Sequence, residues 1–368
     1  MKKPPPQQLA PLLLTWFDKH ARVLPFRGTR DAYAVWVSEI MLQQTQVATV
    51  VPYYNRFMAR FPTVEKLASA RLDSVLKLWQ GLGYYTRARN LHKAARLVVE
   101  RHGGVFPSAF DDIVALPGIG RYTAGAIASI AFNQAVPALD GNVMRVLCRL
   151  YCLHDNPKTS AAQKRLWQLA ATLVPADRPG DYNQSMMELG ATVCTPKSPD
   201  CGHCPVQPLC LAYARGVQET LPKIPKAAAT PHYTVAVGLV FMGEKLLIDK
   251  RKPEGLLGGM WELPGGKKQK NETLKQTVAR EIAEETGITV AVGKRLCAVR
   301  HAYSHFRITI HAFCCDYAGG TAKPLGCAAV KWVAPTELKK YAFPAATKKV
   351  FSYLSQGKRK KAKGKSTG

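Results

Sequence analysis

The sequence predicts two parts in series, an all-α unit followed by a smaller α+β unit, on three observations. From about residue 7 to 215, apolar residues recur at three- and four-residue spacing between short Gly or Pro breaks, the period of helices that bury one face, with no strand alternation. Residues 217–231, VQETLPKIPKAAATP, hold three prolines and no periodicity, as a linker does. Beyond them YTVAVGLVFM and KLLIDKR read as strands, KQTVAREIAEETG as a helix, and RITIHAFCCDY and AAVKWV as further strands. The expected boundaries are 1–216 for the helical part, 217–231 for the linker, 232–356 for the α+β part and 357–368 for a disordered tail whose GKRKKAKGKSTG carries six cations and no anion.

At 368 residues the chain can build more than one core, and 52 Lys and Arg against 25 Asp and Glu leave a formal charge of +27. Such an excess points to a polyanionic partner, nucleic acid or an anionic membrane surface. No apolar run approaches the roughly 18 residues of a bilayer span, and the opening MKKPPPQQLAPLLLTWF is broken by proline and too short for an export signal. A cytoplasmic, nucleoid-associated monomer without a membrane partner is expected. Its ten cysteines are then thiols or metal ligands rather than disulfides. Cys194, Cys201, Cys204 and Cys210 follow the spacing C-x6-C-x2-C-x5-C, and four thiolates so close together would repel or oxidise without a metal. Zinc and an iron–sulfur cluster both suit four thiolates. Cys148, Cys152, Cys297, Cys314, Cys315 and Cys327 lie in apolar stretches and are expected in cores.

In LPGIGRYTAGAIASIAF (116–132), Pro117-Gly118-Ile119-Gly120 separates a helix ending near Ala115 from one starting near Tyr122. Gly118 and Gly120 bare the backbone amides and let a phosphate approach the second helix's N-terminus. Asp140 follows in LDGNVMRVLCRL, where Val143, Val146, Leu147 and Leu150 mark a helix that it would cap. In isolation that aspartate is a cap and nothing more.

Taken together, the glycine loop, Asp140 and the four cysteines resemble the helix-hairpin-helix DNA glycosylases. Within them WVSEIMLQQTQV (36–47), GLGYYTRARNLHKAA (81–95) and the extra C-terminal part are similar to the adenine DNA glycosylase family, over essentially the whole chain except its tails. The resemblance implies base-excision repair, with removal of adenine from double-stranded DNA where it is mispaired with 8-oxoguanine or guanine. It favours a four-iron, four-sulfur cluster on the four cysteines, shaping a basic loop around Lys197. It implies that Tyr122 and Asn142 assist catalysis, that Gln44, Thr45, Leu82 and Tyr84 contact or wedge into the stack around the orphan base, and that Gln184 reads the extruded adenine. For Leu82 a place in a turn or core is the competing reading. Phe26 stands where the family usually has Trp. The endonuclease III type, which shares the loop and cysteines, carries a nucleophilic lysine where this chain has Tyr122, so the chain is expected to be monofunctional rather than a bifunctional lyase.

Cutting the bond from adenine to deoxyribose resembles glycoside hydrolysis, in which the leaving group is protonated while the sugar passes through an oxocarbenium-like state. Two carboxyls of opposite protonation are required. Glu39 shares a helix face with Val35, Trp36 and Leu42, so desolvation is expected to raise its pKa and suit it as general acid at adenine N7. Asp140, at a helix N-terminus, is expected to have its anion favoured and to stabilise the sugar cation.

In the second part Gly266, Glu272 and Arg280-Glu281-Ile282-Ala283-Glu284-Glu285-Thr286-Gly287-Ile288 resemble a complete Nudix box. Glu281, Glu284 and Glu285 share a helix face at a spacing suited to a divalent metal such as Mg²⁺. The comparable domain of adenine glycosylases has a degraded box and recognises 8-oxoguanine, and HAYSHF (301–306) matches its lesion-reading loop, which implies recognition by Tyr303, Ser304 and His305. Two readings compete with the glycosylase: a Nudix pyrophosphohydrolase acting on free nucleotides, and an inactive DNA-binding or damage-sensing module.

Overall fold

The computed structural model describes residues 6–225, 229–303 and 306–363. Two compact units emerge, Met1–Ser69 with Asn90–Ala227, and Ala70–Arg89 with Ala228–Gly368. Up to residue 225 the described chain is helical and without strands, as the three- and four-residue periodicity requires.

Four helices position the chemistry of the first unit. Ala32–Leu42 starts at Asp31, whose side chain accepts from the Tyr33 amide, and every residue from Tyr33 to Met41 is buried. A helix buried on all sides is a core element, and its one carboxylate is out of place there. It packs on Arg121–Phe132, where Thr123 through Ser129 are buried in turn. Gly141–Leu150 is capped by Asp140 and shares a core with Pro179–Thr192 through Val143, Val146, Leu147, Met186 and Leu189.

The second unit is a seven-stranded sheet: β1 (His232–Met242), β2 (Lys245–Lys250), β3 (Trp261–Glu262), β4 (Gly265–Lys267), β5 (Ile288–Ala302), β6 (Arg307–Gly320) and β7 (Ala329–Val333). Its order is β3-β2-β1-β6-β5, with β4 on β1 and β7 on β2; β1 and β6 run parallel and the remaining pairs antiparallel. Helix Leu274–Thr286 opens on a capping box, Thr273 with Gln276, and ends at Gly287 in the left-handed region. Its Val278 and Ile282 cover Ala236, Val240, Leu247 and Phe313 on one face of the sheet. On the other face Ala346 and Val350, from the C-terminal helix, pack with Leu239, Ile248 and Ile310.

Two expectations are corrected. The C-terminal helix spans Ala345–Lys363, so the described part of the expected disordered tail is helical; Lys, Arg, Gln and Ala are strong helix formers that extend a helix already anchored at Val350. Cys314 is exposed while its neighbour Cys315 is buried, because adjacent residues of β6 face opposite sides; the other expected core cysteines are buried. Among the described residues no helix is long and apolar enough to cross a membrane.

Candidate active site

Glu39, Tyr122, Asp140, Asn142, Thr45 and Gln184 line one cavity of about 170 Å³ in the first unit. Glu39 is 6 % exposed and its Oε2 accepts a 2.7 Å bond from the Tyr122 hydroxyl. Burial pushes its pKa up to about 7, with the Tyr122 bond opposing and the Asp140 charge adding to the rise. Burial also holds the Tyr122 phenol well above its ordinary range.

Both oxygens of Asp140 are engaged: Oδ1 accepts from the Val143 amide at 2.7 Å and Oδ2 from Asn142 Nδ2 at 2.8 Å. The expectation that the helix end favours the Asp140 anion is corrected in balance. Shielding from water is the largest effect and raises its pKa, against the bonds from Val143 and Asn142 and the charge of Arg145. Arg145 fixes the set, donating to Asn142 Oδ1 at 2.9 Å and to the Gly190 carbonyl at 2.7 Å.

A residue that the periodicity did not single out, Glu188, lines the same cavity at 1 % exposure. Burial works to raise its pKa, but bonds from Arg22 at 2.6 Å and Arg27 at 2.9 Å outweigh it and hold the carboxyl at about 2. One cavity therefore holds a firmly ionised carboxylate and a carboxyl that keeps its proton near neutrality. A lone acid set directly between Met187 and Leu189 was the available signal, a weaker one than that of Glu39, whose apolar neighbours Val35, Trp36 and Leu42 stand one helical turn away. Phe26 also lines the cavity, its ring 5.3 Å from Tyr54 in an edge contact.

The remaining candidates lie outside the cavity. Gln44 (φ 55°) and Tyr84 (φ 48°) hold left-handed backbone, a strain that non-glycine residues bear at functional loops. Leu82 is buried at 5 % exposure, the place its turn-and-core reading gives it. Gly118 has φ +81°, and a Cβ there would stand 2.7 Å from the Asn90 Cβ, so only glycine fits. Gly120 caps Arg121–Phe132 with no side-chain bond, which leaves its first-turn amides uncovered from the cap position.

Cys194, Cys201, Cys204 and Cys210 line a second cavity with Arg149. Arg149 donates to Cys194 Sγ at 3.3 Å and to the Thr195 carbonyl at 2.7 Å, and Arg145 Nε to the Cys194 carbonyl at 2.8 Å. The helix that presents Asp140 is thus tied to the cysteine loop. Burial raises the thiols of Cys201, Cys204 and Cys210, so their thiolate forms require a cationic centre. Among the described residues no three cysteine sulfurs converge within 4.8 Å of one another. Zn–S bonds of about 2.3 Å would bring four sulfurs to roughly 3.8 Å of each other. The donor set fits a larger cluster better than a single ion.

In the second unit Tyr303 lines a cavity of about 540 Å³, its ring 4.8 Å from Phe306 and 4.7 Å from His301. Ser304 and His305 lie outside the described residues. The box glutamates do not gather as their helical spacing predicts. Arg280 binds Glu281 at 2.9 Å and Glu284 at 3.0 Å, as well as Glu272, and the carboxylates that converge are Asp249, Glu262 and Glu285. Asp249 and Glu262 sit in strands, where an acid on an inward register position was the signal to follow. Burial raises the pKa of all three, with Glu262 repelling both Asp249 and Glu285 and Arg251 opposing the rise.

A helical fold with a glycine loop and a buried Glu–Asp pair defines a base-excision DNA glycosylase, and residues 37–172 match the family described as HhH-GPD superfamily base excision DNA repair protein. Residues 194–210 match the iron–sulfur binding domain of endonuclease III, and 236–353 the NUDIX domain. A solved thermostable thymine-DNA glycosylase shares 31% identity at a TM-score of 0.53, covering 57% of this chain and 97% of its own. Adenine DNA glycosylase of Mus musculus is 40% identical over 95% of this chain and 79% of its own length, and that of Homo sapiens 39% over 92% and 72%. The chain belongs to the adenine DNA glycosylase family.

Proposed function

We propose that this chain excises adenine from double-stranded DNA in which it faces 8-oxoguanine or guanine, by hydrolysis and without a lyase step. The observation that carries the reading is the meeting of Glu39 and Asp140 in one cavity: both are shielded from water, but Glu39, lifted to about 7, has the Tyr122 hydroxyl as its opposing donor, whereas the rise at Asp140 is opposed by donors from Val143 and Asn142 and by the charge of Arg145. Extruding the adenine costs a few kcal/mol, less at a mispair. Glu39 then delivers its proton to the base, Asp140 stabilises the oxocarbenium-like sugar, and Glu39, now ionised, activates water. Tyr122 holds Glu39 through its hydroxyl, Asn142 bridges Arg145 to Asp140, and Gln184 lies on the cavity wall where it can read the base.

Tyr122 stands where a lyase lysine would, and among the described residues no lysine lines the cavity. Gln44, Thr45 and Tyr84 serve the orphan base, with buried Leu82 holding the turn that carries Tyr84, Gly118 and Gly120 the phosphates, and Tyr303, Ser304 and His305 the 8-oxoguanine. Cys194, Cys201, Cys204 and Cys210 would hold a four-iron, four-sulfur cluster, whose bound form charge-balances the four thiolates and fixes the loop around Lys197. The test is a duplex with one adenine opposite 8-oxoguanine: alkali after incubation should reveal an abasic site, and borohydride should trap little protein–DNA adduct. Intact strands, or efficient trapping, would contradict the reading.

A further inference from the structure

We propose that Glu188 is a positioning residue of the excision site: its carboxylate folds segment 22–27 into a closed loop that walls the cavity and matches the charge of two arginines beside Glu39. Helix Pro179–Thr192 turns Gln184, Met187, Glu188 and Ala191, one face at helical spacing, onto that cavity. Each Glu188 oxygen accepts twice: Oε1 from the Arg22 amide at 3.2 Å and Arg22 Nε at 2.6 Å, Oε2 from Arg22 Nη2 and Arg27 Nη2, both at 2.9 Å. Arg27 Nη1 returns to the Arg22 carbonyl at 2.9 Å, and the Arg27 amide to the Leu24 carbonyl at 3.0 Å. The first and last residues of the segment are thus fastened to one carboxylate and to each other. The segment has no helix or strand to hold it, and Leu24 and Phe26, between the two arginines, line the cavity.

A buried ion cluster adds little net stability, because desolvation offsets its attraction, so the reason for this one is sought at the site it borders. Among the described residues the titratable and charged side chains lining the cavity are Arg22, Arg27, Glu39, Tyr122, Asp140 and Glu188, and helix Val47–Arg60 brings only Val47. Two guanidinium groups in so small a space favour the ionised form of Glu39 and draw off the proton it has to deliver. Glu188, held ionised by the same two groups, cancels one of their charges and occupies their donors. What moves the Glu39 proton is then its own burial, the Tyr122 hydroxyl and the Asp140 charge. The effect on the reaction rests on the excision reading above; the closed loop is a property of the chain alone.

Single-turnover excision by the full-length protein, well below the Tm of each variant, reads both effects. Glu188→Gln keeps the shape and removes the charge; at pH 7 it should excise at least about tenfold more slowly, with the pH midpoint of the rate about one unit below the parent's. Adding Arg27→Gln restores the net charge, so the midpoint should return toward the parent's while the rate stays low, which loss of structure alone does not produce. A Glu188→Gln rate within about twofold of the parent's, or an unmoved midpoint, overturns the proposal. Should Glu188→Gln not fold, Arg22→Gln, at a side chain 40 % exposed, removes a positive charge and should move the midpoint upward; no movement overturns the proposal. An inactive parent contradicts the excision reading, and limited trypsin digestion then tests the loop by itself. Cleavage after Arg22 or Arg27 should be at least about tenfold faster in Glu188→Gln than in the parent, and equal cleavage overturns the proposal.

Discussion

A carboxyl lifted from 4.5 to about 7, as Glu39 is, binds its proton more tightly in the folded chain than in the unfolded one. Stability is therefore fully present below the unfolded value near 4.5 and is lost as pH rises through about 7, by about 3 kcal/mol. Glu39→Gln removes that penalty. Thermal unfolding should find the variant gaining on the parent between pH 5 and pH 8; a gap independent of pH would contradict the desolvated state of Glu39. Inactivity together with raised stability is the mark of a residue kept for chemistry rather than for packing. Glu188 behaves in the opposite way, since Arg22 and Arg27 hold it ionised, and removing its charge would leave two guanidinium groups without their partner.

At the scale of the element, Asp140 is both a helix cap and a charge, and the two roles separate by substitution. Asparagine caps nearly as well as aspartate, whereas alanine costs about 1 kcal/mol. Asp140→Asn keeps the cap to the Val143 amide but loses the acceptor for Asn142 Nδ2, so Asp140→Asn should lower the Tm less than Asp140→Ala, whose lost cap alone lowers it by roughly 2–4 °C, and both should lose excision; full excision by Asp140→Asn would remove its electrostatic role. The helices around this site were legible because each carries its own period and cap: Glu39 on Ala32–Leu42, the break at Pro117–Gly120 and the cap at Asp140 all fall where the pattern puts them. Strand β5 was not legible. Its Gly293-Lys294-Arg295 stretch coincides with register shifts between Val292 and Cys297, and each bulge breaks the alternation from which a strand is read. Strands β3 and β4 are two and three residues long, too short for any period. The convergence of Asp249 with Glu262 and Glu285 depends on strand pairing between distant residues, which local spacing does not contain.

On the scale of the whole molecule, residues 70–89 cluster with the C-terminal part, where Asp73 accepts from Lys250 at 2.7 Å and Arg89 donates to the Gly258 carbonyl at 2.6 Å. A chain ended at residue 230 keeps Glu39 and Asp140 but strips 70–89 of these partners and removes Tyr303. It should still excise adenine, with a lower Tm and a smaller preference for 8-oxoguanine over guanine opposite; an unchanged preference would contradict the role of Tyr303 and its loop. In the proposed mechanism a buried, protonated Glu39 starts the reaction. Its most direct test is single-turnover excision of adenine opposite 8-oxoguanine from pH 5 to pH 9, by the parent and by Glu39→Gln. The parent's rate should fall as pH rises through about 7, where Glu39 gives up its proton, and the variant should bind the duplex yet excise at least about a hundredfold more slowly at every pH. Excision by Glu39→Gln at the parent's rate, or a parent profile flat through pH 7, would contradict it.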